Sequence, residues 1–173
     1  PEWPFFRTSE STAAGQGPRR LRRLADLLET VQFDGSPELK LDVRGDARDL
    51  RSFLVRLSLR AEGAQTRWGT LRQSRLTTLL LPASNQVSEA EVRLEAAAAE
   101  TRWGAATNLH LHLGLKAAES ETNLVRGTLS LTAADGWTPW AAGAKPCLSA
   151  NWVHALTNPV PLSGAASLQV EQL

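Results

Sequence analysis

Residues 65–70 read QTRWGT and residues 100–105 read ETRWGA, so Thr-Arg-Trp-Gly occurs twice at an interval of 35 residues. The interval extends outward. Phe33 lies 35 positions before Trp68, and Trp137 lies 34 after Trp103. An aromatic followed by small or turn-forming residues thus recurs as QFDG, RWGT, RWGA and GWTP. A repeat of this length matches one supersecondary unit per copy. Gly69 and Gly104 permit a tight bend, which makes Trp68–Gly69 and Trp103–Gly104 the structural marks of two equivalent corners. The indoles are expected to stack on neighbouring strands or plug the sheet edge. The rival reading is a tryptophan-lined ligand surface, as in carbohydrate binding.

The segments between these marks alternate. PELKLDVRG places Leu39, Leu41 and Val43 on one face and Lys40, Asp42 and Arg44 on the other. SFLVRLSLRAE sets Phe53, Val55, Leu57 and Leu59 against Arg56, Ser58 and Arg60. AEVRLEA sets Val92 and Leu94 against Glu91, Arg93 and Glu95. TNLHLHLGL aligns Leu109, Leu111, Leu113 and Leu115, and GTLSLTA aligns Leu129 and Leu131. Period two with one apolar face marks half-buried strands. Each repeat is therefore a pair of strands. The fold expected is mostly β: an antiparallel meander of hairpins forming a curved one-sided sheet or groove over residues 34–173. In RQSRLTTLLLP the consecutive Leu79, Leu80 and Leu81 suggest a bulge or a strand covered on both faces.

Residues 18–33 carry the clearest helical pattern. Pro18 suits a first turn, and Leu21, Leu24, Leu27, Leu28 and Val31 recur at helical spacing. This amphipathic helix is expected to pack its leucine stripe on the sheet with Arg19, Arg20, Arg22 and Arg23 in solvent. Residues 1–17 read as a flexible or docking segment. After residue 133 the rhythm loosens into a stretch rich in tryptophan and proline.

The balance of 19 basic and 18 acidic residues gives a net charge of +1, which exerts no general pull toward nucleic acid. The single cysteine, Cys147, precludes an internal disulfide framework. No GxSxG, P-loop, GxGxxG, HExxH or paired CxxC is present. The pair His110 and His112 shares one strand face, but a metal site needs a third ligand, and neither His154 nor Cys147 is near in sequence. Cys147 with His154 lacks the setting of a thiol nucleophile. A non-enzymatic protein with no catalytic residue, metal or cofactor is the expectation.

Strands with one leucine face need a cover, because a large exposed apolar patch is rare in a soluble monomer. The sheet can fold over on itself, pack on another part of a longer protein, or curl into a trough whose lining meets lipid. Tandem hairpins with alternating leucine faces, in LKLDVRGDARDL, VRLSLRAEGAQTRWGTLRQSRLTTLLL and NLVRGTLSLTAADG, resemble the AsmA-like and TamB-like envelope proteins over roughly residues 20–133. The resemblance implies a segment of a longer, membrane-anchored periplasmic protein. It also implies a repeating β-groove that holds or conducts phospholipid, with flanking chain or envelope proteins as further partners. The groove lining would then be Leu39, Leu41, Val43, Phe53, Val55, Leu57, Leu59, Val92, Leu94, Leu109, Leu111, Leu113, Leu129 and Leu131. The alternative is a β-rich scaffold or interaction module with an ordinary filled core.

Overall fold

The computed structural model describes residues 30–46, 48–49, 52–81, 89–118, 121–156 and 158–171. The expected N-terminal segment and residues 18–29 of the expected helix lie outside them. Its predicted end does not hold: Gln32 and Phe33 are strand. They pair with Gln65 and Ala64, so strand hydrogen bonding outweighs the helical spacing at these two positions.

The described residues form one antiparallel sheet: β1 (Gln32–Asp34), β2 (Glu38–Arg44), β3 (Leu54–Thr66), β4 (Gly69–Leu81), β5 (Glu89–Thr101), β6 (Gly104–Ala118), β7 (Glu121–Thr132), β8 (Asp135–Trp137), β9 (Ala142–Ala144), β10 (Cys147–Ala155) and β11 (Asn158–Gln169). Several short strands are halves of longer ones. β1 and β2 line the same side of β3, at Gln65–Gly63 and Arg60–Leu54. β7 and β8 both line β6, and backbone bonds from Ala134 to Thr107 and from Lys145 to Ala134 carry the ladder across the gaps. The architecture is a meander of eight long strands, β1/β2, β3, β4, β5, β6, β7/β8, β9/β10 and β11. Its edges are β1/β2 and β11, and it does not close. The regular pairing continues through the tryptophan- and proline-rich stretch.

The repeated tetrapeptide forms two hairpin tips with one internal design. Thr66 Oγ1 donates to the Gly69 carbonyl at 3.1 Å and accepts from the Trp68 amide at 3.2 Å. Thr101 does the same for Gly104 and Trp103, each at 3.1 Å. A third tip repeats the pattern, but not at the expected place. Thr138 Oγ1 donates to the Ala141 carbonyl at 3.2 Å and accepts from the Trp140 amide at 3.3 Å. The third counterpart of Trp68 is therefore Trp140, in TPWA, and Trp137 sits within β8. Phe33 marks no tip either, because it lies mid-strand opposite Ala64. What defines the corner is the threonine clamp two residues before the indole, and QFDG and GWTP lack it.

Glycine at the fourth position follows from the neighbouring strand. A Cβ on Gly69 would meet the Glu100 backbone carbonyl, and one on Gly104 the Trp137 carbonyl. Gly69→Ala and Gly104→Ala are expected to cost about 1–3 kcal/mol each by forcing backbone apart. Ala141→Gly, at a tip that already holds a side chain, is expected to cost under about 1 kcal/mol. Urea melts of the three variants check the contrast.

A second regularity follows each tip. Gln73, Asn108 and Lys145 have left-handed backbone, with φ of 47°, 47° and 48°. Each lies seven residues after its turn threonine. The register is the same on both sides, as in Ala61 opposite Ser74 and Gly63 opposite Arg72, so no residue is inserted. The change is in the pleat. Positions three apart come to one face: Ala96 and Leu109 pack with Ala99 and Ala106. Five of the six buried apolar side chains among the described residues gather near this line, namely Ala61, Ala64, Ala96, Leu109 and Ala133; the sixth, Val125, lies opposite His154. No large side chain among the described residues is fully buried. The leucine run of β4 keeps an unbroken register with β3, so the irregularity lies at Gln73 instead.

Candidate functional site

Register turns the separate leucine faces into one surface. Leu39 faces Leu59, which faces Leu76, and the row continues through Leu94, Leu111, Leu131 and Leu148 to Leu168. Eight leucines, one from each long strand, thus form a file across the whole sheet. At about 4.8 Å per strand its seven steps span roughly 34 Å. A parallel row runs Leu41, Leu57, Thr78, Val92, Leu113, Leu129, Ala150 and Ala166. A third begins Val43, Val55, Leu80, Ala90, Leu115 and Gly127, where the Trp152 ring of β10 fills the space over the glycine.

The residues singled out in the sequence therefore share this face. Phe53 is the outlier: it precedes β3 and packs against Gly45. Leu109 differs in another way, being buried in the cluster along the pleat line. Sequence reading missed Leu76, Leu80, Leu148, Trp152 and Leu168. The alternation of β4 is blurred by Leu79 and Leu81, and the tail gave no clear frame. Among the described residues, substantial contacts between strands occur only between sheet neighbours, so no second layer covers the file. Its ends are open, with Leu39 54% and Leu168 67% exposed.

The opposite face carries charge held in pairs along and across strands. Glu91 accepts from Arg93 at 2.6 Å and lies 2.7 Å from His112. The hydrogen bond from Arg93, then that from His112, holds its carboxyl below the ordinary range. Arg44 makes a two-pronged pair with Asp42, and Lys145 meets Glu171 at 2.7 Å. Exposed pairs of this kind are screened by solvent and contribute little to stability. His110 lies beside Glu95 on this face. Among the described residues no group of three or more His, Cys, Asp or Glu is placed to hold a metal ion. Cys147 and His154 are seven residues apart on β10, and so point to opposite faces.

His154 belongs to the apolar face. It is 6% exposed, lies between Val125 and Pro161, and its Nδ1 has no hydrogen-bond partner among the described residues. Burial pushes its pKa down. A lowered folded pKa means the fold holds the neutral ring. This contribution to stability is present above the unfolded value of about 6.5 and is lost as pH falls below it. Acidification from pH 7 to pH 5 is expected to lower the melting temperature, and His154→Leu is expected to remove that part of the dependence. Thermal melts of both proteins across this range provide the check.

No helix among the described residues is long and apolar enough to cross a membrane. No protein-family model matches this chain, and comparison with characterised proteins and with solved structures likewise finds no match.

Proposed function

We propose that the leucine-filed face holds acyl chains, and that the chain is a non-enzymatic segment of an AsmA-like envelope protein acting in the periplasm to hold or conduct phospholipid. The observation that carries this reading is the unbroken file of eight leucines on an open sheet with no described layer above it. A row of roughly 34 Å exceeds the acyl layer of one leaflet, about half of a 30 Å hydrocarbon core. An extended acyl chain laid along it, across the strands, would remove apolar surface on both partners. Each methylene so buried contributes about 0.8 kcal/mol. The lining is almost wholly aliphatic, so it grips chain and not chemistry. Lipids of mixed head group are its expected cargo.

Native mass spectrometry of protein purified without detergent tests this. Bound phospholipid of several head-group classes is the expected result. Protein that emerges free of lipid, and stays free after incubation with phospholipid, would favour the scaffold reading, with the face covered by protein.

A further inference from the structure

We propose that the rim formed by the three hairpin tips is a docking edge for an anionic bilayer surface. The tips of β3–β4, β5–β6 and β8–β9 all lie at one end of the sheet, because every second connection of an antiparallel meander does. Neighbouring tips are two strands apart, about 10 Å. Each presents its tryptophan outward: Trp68 is 50% exposed, Trp103 49% and Trp140 82%, with Trp137 beside the last at 54%. The sequences differ, TRWG against TPWA, yet the threonine clamp and the indole are common to all three. The fold thus repeats a device that sets a solvent-exposed tryptophan at the end of the sheet.

Two of the rings have cationic company: the Arg67 guanidinium lies 4.3 Å over the Trp68 ring and that of Arg102 lies 4.2 Å over the Trp103 ring. A sugar site would need hydrogen-bonding groups beside a free ring face. Here the nearby threonine hydroxyls are already engaged within the turn, donating to Gly69 and Gly104. What remains on offer is an apolar ring with a delocalised cation against it. That combination suits the head-group layer, where indoles settle at the boundary and guanidinium meets phosphate. Of the connections at the other end of the sheet, only the one before β3 carries an aromatic residue, the half-buried Phe53 that packs against Gly45, and none carries a tryptophan. The two rims are therefore unlike, and only one is built to meet such a layer.

The docking edge stands apart from acyl-chain holding, and the test separates them. Sedimentation with vesicles of phosphatidylcholine and phosphatidylglycerol at 4:1, and of phosphatidylcholine alone, reads the partitioning. The wild-type chain is expected to bind the anionic vesicles more strongly. Trp68→Ser/Trp103→Ser/Trp140→Ser is expected to lose tenfold or more on both, with circular dichroism reporting its fold. Arg67→Gln/Arg102→Gln leaves the turns intact; it is expected to lose about fivefold per arginine on the anionic vesicles and to abolish the preference between them. Leu57→Asp is expected to bind vesicles as wild type does. Wild-type protein that stays in solution with both vesicles, or binds only a polysaccharide matrix, overturns the proposal. So does a folded triple-tryptophan variant that partitions unchanged. Vesicle binding by a chain that never carries lipid would refute acyl-chain holding and leave the docking edge intact.

Discussion

Leu109→Asp is expected to cost about 3–4 kcal/mol and to leave the sheet largely unfolded. Leu109 is 8% exposed and packs with Ala96 and Ala133 along the pleat line, where the structure comes closest to a conventional core. A carboxylate there would be desolvated, with aliphatic carbon as its immediate company. The adjacent residue is the control. His110 is exposed on the opposite face, and His110→Ser is expected to change stability by less than about 0.5 kcal/mol. Urea denaturation of the two variants reads the difference. Equal effects would mean that Leu109 is not the buried member of the pair and that the face assignment is wrong.

The second large effect is on loading, with the fold kept. Leu57 and Leu94 lie on the apolar face, half-buried and outside the buried cluster. An aspartate at either position keeps access to water on an open face, so the expected stability cost is about 1–2 kcal/mol, well below that of Leu109→Asp. An acyl chain laid along the rows, however, would have to pass a charge. Bound phospholipid, counted by native mass spectrometry, is expected to fall at least tenfold in Leu57→Asp and in Leu94→Asp. If a protein layer covers the face instead, the same substitutions bury a charge beneath it. Those variants would then melt, and the wild-type protein would carry no lipid. The two readings therefore predict opposite pairs of outcomes from the same proteins.

The contrast between Leu109 and Leu57 also marks the boundary of what local sequence can say. Both occupy apolar positions in alternating segments, and both were read as lining. Period-two alternation is a property of one strand, enforced by the pleat, so it assigned Leu39, Leu57, Leu94 and Leu129 to one face of their strands without reference to anything else. The Thr-Arg-Trp-Gly repeat likewise announced two equivalent hairpin tips, because its clamp is made within four residues. Beyond that range the signal fades. The third tip is spelled TPWA, with alanine where no glycine is required, and spacing alone pointed to Trp137 instead of Trp140. Gln73, Asn108 and Lys145 are not glycines, and nothing in their identity foretells a left-handed backbone. Their positions make sense only against the neighbouring strands, where the change of pleat gathers Ala96, Leu109 and Ala133 into a buried line.

Alternation within single segments made most of the long strands, their apolar faces and the meander legible without the rest of the chain. That eight leucines from eight strands fall into one file, that the file lies open among the described residues, and that the three tip tryptophans share a single rim emerges only when the strands are paired. The physical reason is register. Pairing across strands is fixed by turns and inter-strand hydrogen bonds, and a slip of one residue would send every leucine to the other face.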